Sequence, residues 1–162
     1  MQLTKETLGL AGEYAVASEL CRRRAYCQLT LGNRKRIDLL VEAEDSLFRV
    51  SVKTKQKQDW PHVKGIYKKD ELLVFVDYKG KELEEPPDFY VLDVLSWKKV
   101  VRSIKKLKSD PNAIINSENT LVWPAGDGRP EWKGCRVRVA DVAAYKNEWP
   151  QFAPPVDLAG DA

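Results

Sequence analysis

The chain has few of the residues on which several kinds of catalytic and metal site depend. His62 is its one histidine, and its three cysteines are Cys21, Cys27 and Cys135, with no C-x-x-C pair. A single histidine excludes chemistry that needs two. An odd number of cysteines without metal-ligand spacing favours neither a disulfide framework nor a thiolate zinc site, so we expect ordinary buried or half-buried thiols.

Long apolar runs and nucleotide-binding glycine motifs are also missing. The longest apolar run is LLVFV at 72–76, whereas a membrane span needs about 18 or more apolar residues. The GDG at 126–128 indicates a turn, and no G-x-S-x-G or phosphate-binding glycine fingerprint occurs. Serine hydrolases and P-loop enzymes are therefore poor interpretations. The start of the chain, MQLTKETLG, lacks the layout of a signal peptide, so we expect a cytoplasmic protein.

The length of the chain predicts one domain. It has 162 residues, of which 43% are hydrophobic, and this suffices for one core. We expect a single domain over 1–149, with a core at 5–108 and a C-terminal extension at 109–149. The remaining segment, 150–162, carries three prolines and little periodicity, which predicts an extended or disordered tail.

Hydrophobic periodicity predicts an α+β (α/β) fold with a central mixed β-sheet flanked by helices. Helices are predicted at 5–24, at 97–108 and at about 141–148 with Asp141 as N-cap, and strands at 26–31, 36–43, 47–54, 71–78 and 88–95. A turn is expected at Gly32 and Asn33, a hairpin loop at EDS (44–46), an irregular segment at 55–70, and a turn-rich region at 109–139 that ends in the strand CRVRV. Because LLVFV is apolar on both faces, its strand should be central and covered on each side.

Two acidic side chains stand out against their surroundings. Glu13 has small or apolar residues three, four and seven positions away on its helix, so it should point inward. Asp38 stands at the head of an apolar strand. On the next strand, alternation places Ser51 and Lys53 on the same face. Two inward carboxylates close together call for a divalent cation or a lysine, and Mg²⁺ commonly uses one or two protein carboxylates.

The segments that contain Glu13, Asp38 and Lys53 resemble the motifs of a known protein superfamily. GLAGEYAVASEL, RIDLLV and VSVKTK, in that order over roughly residues 8–55, resemble the PD-(D/E)XK nuclease superfamily, and more closely its small bacterial members. The resemblance implies a restriction-endonuclease-like fold and hydrolysis of nucleic-acid phosphodiesters, most naturally DNA, with Mg²⁺ or Mn²⁺. By position it makes Glu13, Asp38, Ser51 and Lys53 the catalytic set, with Glu13, Asp38 and the backbone carbonyl of Val52 as metal ligands.

Ser51 departs from that pattern. It stands where a carboxylate or glutamine is expected, and a neutral hydroxyl is a poor Mg²⁺ ligand. Glu42 cannot replace it, because four residues along an extended strand lie roughly 13 Å from Asp38. The sequence therefore leaves three functional classes open. They are a nuclease, a catalytically inactive module of the same fold that binds nucleic acid or protein, and an interaction protein. A large apolar surface patch would distinguish the third class from the other two.

Basic clusters point to a polyanionic partner. The net charge is only +3, but clustered lysines and arginines can form one positive face. The predicted nucleic-acid contacts are Lys55, Gln56, Lys57, Arg34 and Arg36, with a solvated strand end as the alternative for the first three. Trp123, Trp132 and Trp149 could stack on bases but are more often packing residues, and His62 is expected in a loop rather than as a base. A homodimer is possible.

Overall fold

A computed structural model describes residues 2–30, 37–43 and 46–152. The turn expected at Gly32 and Asn33, the predicted contacts Arg34 and Arg36, and most of the expected tail lie outside these ranges. No helix among the described residues is long and apolar enough to cross a membrane.

The described chain contains three α-helices, one short 3-10 helix and ten strands. In chain order they are α1 (Lys5–Arg22), β1 (Tyr26–Leu29), β2 (Leu39–Ala43), β3 (Ser46–Lys55), β4 (Asp59–Val63), β5 (Glu71–Asp77), β6 (Asp88–Leu92), α2 (Val94–Lys108), β7 (Ile114–Ile115), β8 (Leu121–Trp123), β9 (Trp132–Lys133), β10 (Cys135–Arg138), α3 (Val139–Val142) and the 3-10 helix Ala143–Tyr145.

The central sheet is mixed, as the sequence predicts. Its five strands run in the order β1-β2-β3-β5-β6, with β3 and β5 parallel and the other neighbours antiparallel. The apolar strand β5 lies between β3 and β6, and its residues 72–77 are all buried. The prediction of a central strand covered on both faces is therefore confirmed.

Helices cover both faces of this sheet. On one face, Val16 and Leu20 of α1 pack with Val50 and Val74 in one hydrophobic core. On the other face, the apolar stripe of α2 packs with Phe75 and the residues of β4 and β10 in a second core. The helix α2 begins at Val94, three residues before its predicted start, because the Asp93 carboxylate accepts a hydrogen bond from the Ser96 N–H at 2.8 Å and caps the helix.

The polar segment 55–70 is not irregular throughout, and that prediction is wrong. It contains β4, which pairs with β10 from the far end of the chain. Trp60 is fully buried in the α2-side core, and its indole N–H donates to the Val76 carbonyl at 3.1 Å. The pairing depends on a strand about 75 residues away in the printed sequence, so no local pattern predicts it.

The C-terminal region also differs in detail from its prediction. Asp141 is not the helix N-cap: the cap is Arg138, whose N–H donates to the Asp141 carboxylate at 2.8 Å. The α-helix is only four residues long and continues as the 3-10 helix. Phe152 is buried against Phe48, with ring centroids 5.8 Å apart, so packing contacts continue into the first residues of the expected tail.

Candidate active site

Asp38 lies where the central sheet opens between β2 and β3. Its backbone N–H donates to the Val50 carbonyl at 2.9 Å, and its Oδ2 accepts a hydrogen bond from the Val52 N–H at 2.6 Å. Its own carbonyl accepts from the Thr30 N–H at 2.9 Å. These contacts hold the carboxylate at the edge of β3, and a carboxylate with one such bond retains further acceptor capacity.

The same opening exposes one edge of β3. Among the described residues, β2 pairs with β3 only as far as Val50, whereas β5 pairs with β3 as far as Lys55. In an extended strand the N–H and C=O of one residue point to the same edge. Since the Val52 N–H points to Asp38, the Val52 carbonyl faces the same open edge, which is where the resemblance places a ligand.

Glycine lets α1 approach this edge closely. A Cβ atom built on Gly12 would lie 1.8 Å from the Thr54 hydroxyl oxygen and 2.9 Å from its Cβ. The helix therefore packs directly on β3 at this point, and the Tyr78 hydroxyl donates to the Ala11 carbonyl at 3.3 Å beside it. Glu13, the next residue of the helix, lines the same cleft as Lys53, the residue before Thr54.

Glu13 is electrostatically coupled to the two other charged residues of the predicted set, Asp38 and Lys53. Burial raises the pKa of Glu13 above its ordinary value, the negative charge of Asp38 raises it further, and Lys53 lowers it. The half-buried Glu13 carboxylate is thus near one like charge and one opposite charge. A carboxyl group next to a second carboxylate suits a cation, and oxygen donors are the ligands that Mg²⁺ prefers.

Glu13, Val52 and Lys53 line one cleft of about 540 Å³, called here the Lys53 cleft. This volume lies within the range of about 300–1,000 Å³ common for ligand sites. Asp38 adjoins the cleft through its bond to Val52. Ser51 is buried one position before Val52 and pairs in register with Leu73. Its hydroxyl adds no charge to the site.

The described residues hold no group of three or more His, Cys, Asp or Glu side chains placed to bind a metal. The candidate donor set is therefore two carboxylates and one backbone carbonyl. Such a set suits Mg²⁺, which keeps several waters and often takes only one or two protein carboxylates. It does not suit a structural zinc site, which takes four protein ligands.

The predicted nucleic-acid contacts at the end of β3 and just after it have mostly structural roles. The Lys55 side chain is 2% exposed, its Nζ lies 2.6 Å from Asp77 Oδ1, and it donates to the Lys57 carbonyl at 3.1 Å. Gln56 exchanges two hydrogen bonds with the backbone of Leu3. Only Lys57 is exposed as a phosphate contact would require.

Sequence reasoning missed one wall of the Lys53 cleft. Trp60, Pro61 and His62 line it, but they belong to β4, which was not predicted. His62 is a strand residue and not a loop residue. The Trp60-Pro61 pair was the available signal, because a proline at a sheet edge or bulge often follows a buried strand residue.

Comparisons with known proteins identify no family for this chain. No family model matches the chain, and no curated protein matches it. Among solved structures, the bacterial homing endonuclease I-Ssp6803I is similar with a TM-score of 0.43 and 17% sequence identity, over 57% of this chain and 70% of that one. At that TM-score we draw no conclusion about function from the similarity.

Proposed function

We propose that the chain is a restriction-endonuclease-like, Mg²⁺- or Mn²⁺-dependent nuclease that hydrolyses phosphodiester bonds, most naturally in DNA. The observation that supports it is the coupling of Glu13, Asp38 and Lys53 around one opening between β2 and β3. Glu13 lies on α1, Asp38 just before β2 and Lys53 on β3, and their electrostatic coupling across up to 40 positions of sequence supports the proposal.

The roles follow from the chemistry of each group. Glu13, Asp38 and the Val52 carbonyl would hold the cation, which supplies charge neutralisation on the phosphodiester. Lys53 would bind a phosphate oxygen and stabilise the negative charge that develops there. The bond from the Val52 N–H fixes the orientation of the Asp38 carboxylate, so the cation site is organised before substrate binds.

The test is cleavage of plasmid and linear DNA by the purified protein with Mg²⁺ or Mn²⁺, with excess chelator as the blank. We expect Asp38→Asn and Lys53→Ala each to lower the rate by on the order of 100-fold or more. Asparagine keeps an oxygen that can accept the Val52 N–H, so Asp38→Asn removes charge with little change of structure.

Two control variants keep the comparison matched. Glu42→Gln removes an exposed carboxylate from the same strand that follows Asp38, and Lys69→Ala removes an exposed lysine outside the Lys53 cleft. Both should cleave as fast as the parent protein. Cleavage that persists in Asp38→Asn and Lys53→Ala would reject this site.

The second candidate function is nucleic-acid binding without cleavage, and Ser51 favours it. A buried, neutral residue occupies the place where an acid would complete the ligand set. If the protein retains DNA in a salt-dependent manner but does not cut it, Ser51→Glu tests whether the serine is the missing ligand. Cleavage gained by Ser51→Glu would identify an inactive relative of the nucleases.

A further inference from the structure

A second cleft adjoins the Lys53 cleft and has a different chemical character. It has a volume of about 220 Å³, and the side chains that matter here are His62, Lys108, Trp123, Trp132 and Arg136. We call it the Trp132 cleft. Its volume is below the range of about 300–1,000 Å³ typical of small-molecule sites, which fits a single ring better than a whole cofactor.

A β-bulge places the aromatic rings of this cleft at the surface. Between β4 and β10 the register shifts, because two residues lie between Trp60 and Val63 while one lies between Cys135 and Val137. His62 within this bulge has φ of 55°, in the left-handed region. Bulges redirect side chains next to functional sites.

The redirected His62 ring packs on Trp132. Their ring centroids are 4.8 Å apart with a tilt of 57°. Trp132 nevertheless remains 50% exposed. A large aromatic ring that is held by a neighbour and left half open to water is a surface on which a further ring can stack. Trp132 thus has an available face, unlike the fully buried Trp60 and Trp97.

Two cationic side chains, Lys108 and Arg136, line the Trp132 cleft, and the Asp110 carboxylate lies next to it, where it accepts a hydrogen bond from the Trp123 indole N–H at 2.8 Å. The Lys108 ammonium lies 5.7 Å from the centroid of the Trp123 ring, and the Arg136 side chain is 65% exposed although it contacts Asp59 at 3.4 Å. None of the described residues that line the Trp132 cleft is acidic. A lining of aromatic rings and cations matches the combination of a base and a phosphate.

The two clefts lie side by side. Pro61 and His62 line both of them, so the bulge is their common wall. A chain with one base in the Trp132 cleft could therefore continue past His62 to Lys53. In duplex DNA the bases are stacked inside, so only an unstacked or single-stranded base can present a face to Trp132.

We propose that the Trp132 cleft binds an unstacked base of a single-stranded nucleic acid, with little sequence preference, and that the backbone of that strand continues into the Lys53 cleft. The second half of this statement rests on the proposed nuclease function, and the first half does not. The cleft thus assigns the substrate class: single strands, flaps or frayed ends rather than intact duplex.

The experiment measures binding of a fluorescein-labelled oligothymidylate by anisotropy, in excess chelator so that no cleavage occurs. We expect Trp132→Ala to weaken binding by about 5- to 100-fold, and Trp132→Phe to keep most of the affinity. The matched control is Tyr67→Ala, because Tyr67 is 42% exposed, has the Lys68 ammonium 5.6 Å from its ring, and lines neither cleft. It should bind as the parent does.

An abasic strand of the same length separates stacking from charge, because it keeps the phosphates and lacks the bases. The parent protein should bind it about as weakly as Trp132→Ala binds the intact strand, and Trp132→Ala should show no further loss on it. Equal binding of intact and abasic strands by the parent would overturn the proposal even if Trp132→Ala proved unstable. So would an undiminished affinity of folded Trp132→Ala.

Cleavage, measured separately with Mg²⁺, distinguishes this proposal from the proposed function. Trp132-dependent binding without any cleavage supports the base site and rejects the nuclease. Cleavage with binding that does not depend on Trp132 rejects the base site alone.

Discussion

At the scale of single residues, the candidate site is defined by two carboxylates whose negative charges are only partly offset by a nearby lysine. Glu13 is half-buried and close to the like charge of Asp38, and Lys53 only partly offsets that repulsion. Lys55 shows the opposite solution: it is buried but contacts Asp77 and the Trp60 ring, with its Nζ 4.6 Å from the ring centroid. Lysines two positions apart on β3 thus differ in role, one available in a cleft and one used to stabilise the fold.

The raised pKa of Glu13 predicts a stability that depends on pH. A carboxyl whose pKa is higher in the folded than in the unfolded state stabilises the fold below its ordinary pKa of 4.5, and this contribution is lost as pH rises through the folded pKa. In chelator, Glu13→Gln should therefore melt at a higher temperature than the parent at neutral pH, and the difference should disappear below about pH 4.5. Thermal melts from acid to neutral pH check this.

A matched substitution on the same helix gives the control. Glu6 is exposed in the first turn of α1, where its charge favours the helix dipole by about 0.3–1 kcal/mol, so Glu6→Gln should melt slightly lower at neutral pH. Added Mg²⁺ should raise the melting temperature of the parent more than that of Glu13→Gln. A Glu13→Gln variant less stable than the parent at neutral pH would contradict the assigned environment.

At the scale of secondary-structure elements, the contact between α1 and β3 decides whether the site assembles. That contact depends on the absence of a side chain at Gly12, which lies against Thr54. Glu13 and Lys53 are neighbours of these two residues, so the spacing of helix and strand also sets the spacing of the proposed ligand and the lysine. Glycine is unfavourable in a helix interior, which makes its place here a packing requirement.

We predict that two glycine-to-alanine substitutions in α1 will have opposite effects. Gly12→Ala forces a Cβ into Thr54, whereas Gly9→Ala meets no atom within 4 Å. Both gain the same helix propensity of about 1 kcal/mol, so their difference in free energy of unfolding should isolate the overpacking cost, about 1–3 kcal/mol. Denaturant melts of the two variants measure it, and equal stabilities would show that α1 does not pack this closely.

At the scale of the whole molecule, one sheet separates two hydrophobic cores. Leu20 of α1 lies in one core, and Trp60 and Trp97 lie in the other. The strands β5 and β6 contribute side chains to both, because successive residues of a strand point to opposite faces. Loss of one core exposes the apolar underside of the same strands, so the two should unfold together.

Leu20→Ala tests this cooperativity. The side chain is fully buried in the α1-side core, and its truncation should cost about 2–5 kcal/mol. In a Trp149→Phe background, which removes the tryptophan on the α1 side, the remaining buried or half-buried tryptophans Trp60, Trp97 and Trp123 belong to the other core, and Trp132 is half-exposed. We expect Leu20→Ala to shift the fluorescence and circular-dichroism midpoints equally. A fluorescence midpoint that stays in place would show two independent units.

The sequence by itself determined the elements that have local periodicity and the identity of the candidate site. The helices α1 and α2 and the strands β3 and β5 were predicted close to their observed bounds, since their apolar patterns and the burial they require agree. The inward position of Glu13 followed from small and apolar neighbours on its helix. Ser51 is likewise a fact of sequence alone, and no structure changes its chemistry.

Only the tertiary structure decided what surrounds those residues. It paired β4 with β10 across about 75 residues of sequence, buried Lys55 against Asp77, and placed two clefts on either side of the His62 bulge. None of these could be predicted locally, because a polar segment becomes a strand, or a lysine becomes a buried ion pair, only when a distant partner satisfies its hydrogen bonds and charge. Sequence periodicity reports which face of an element is apolar, and it carries no information about which distant element will cover that face.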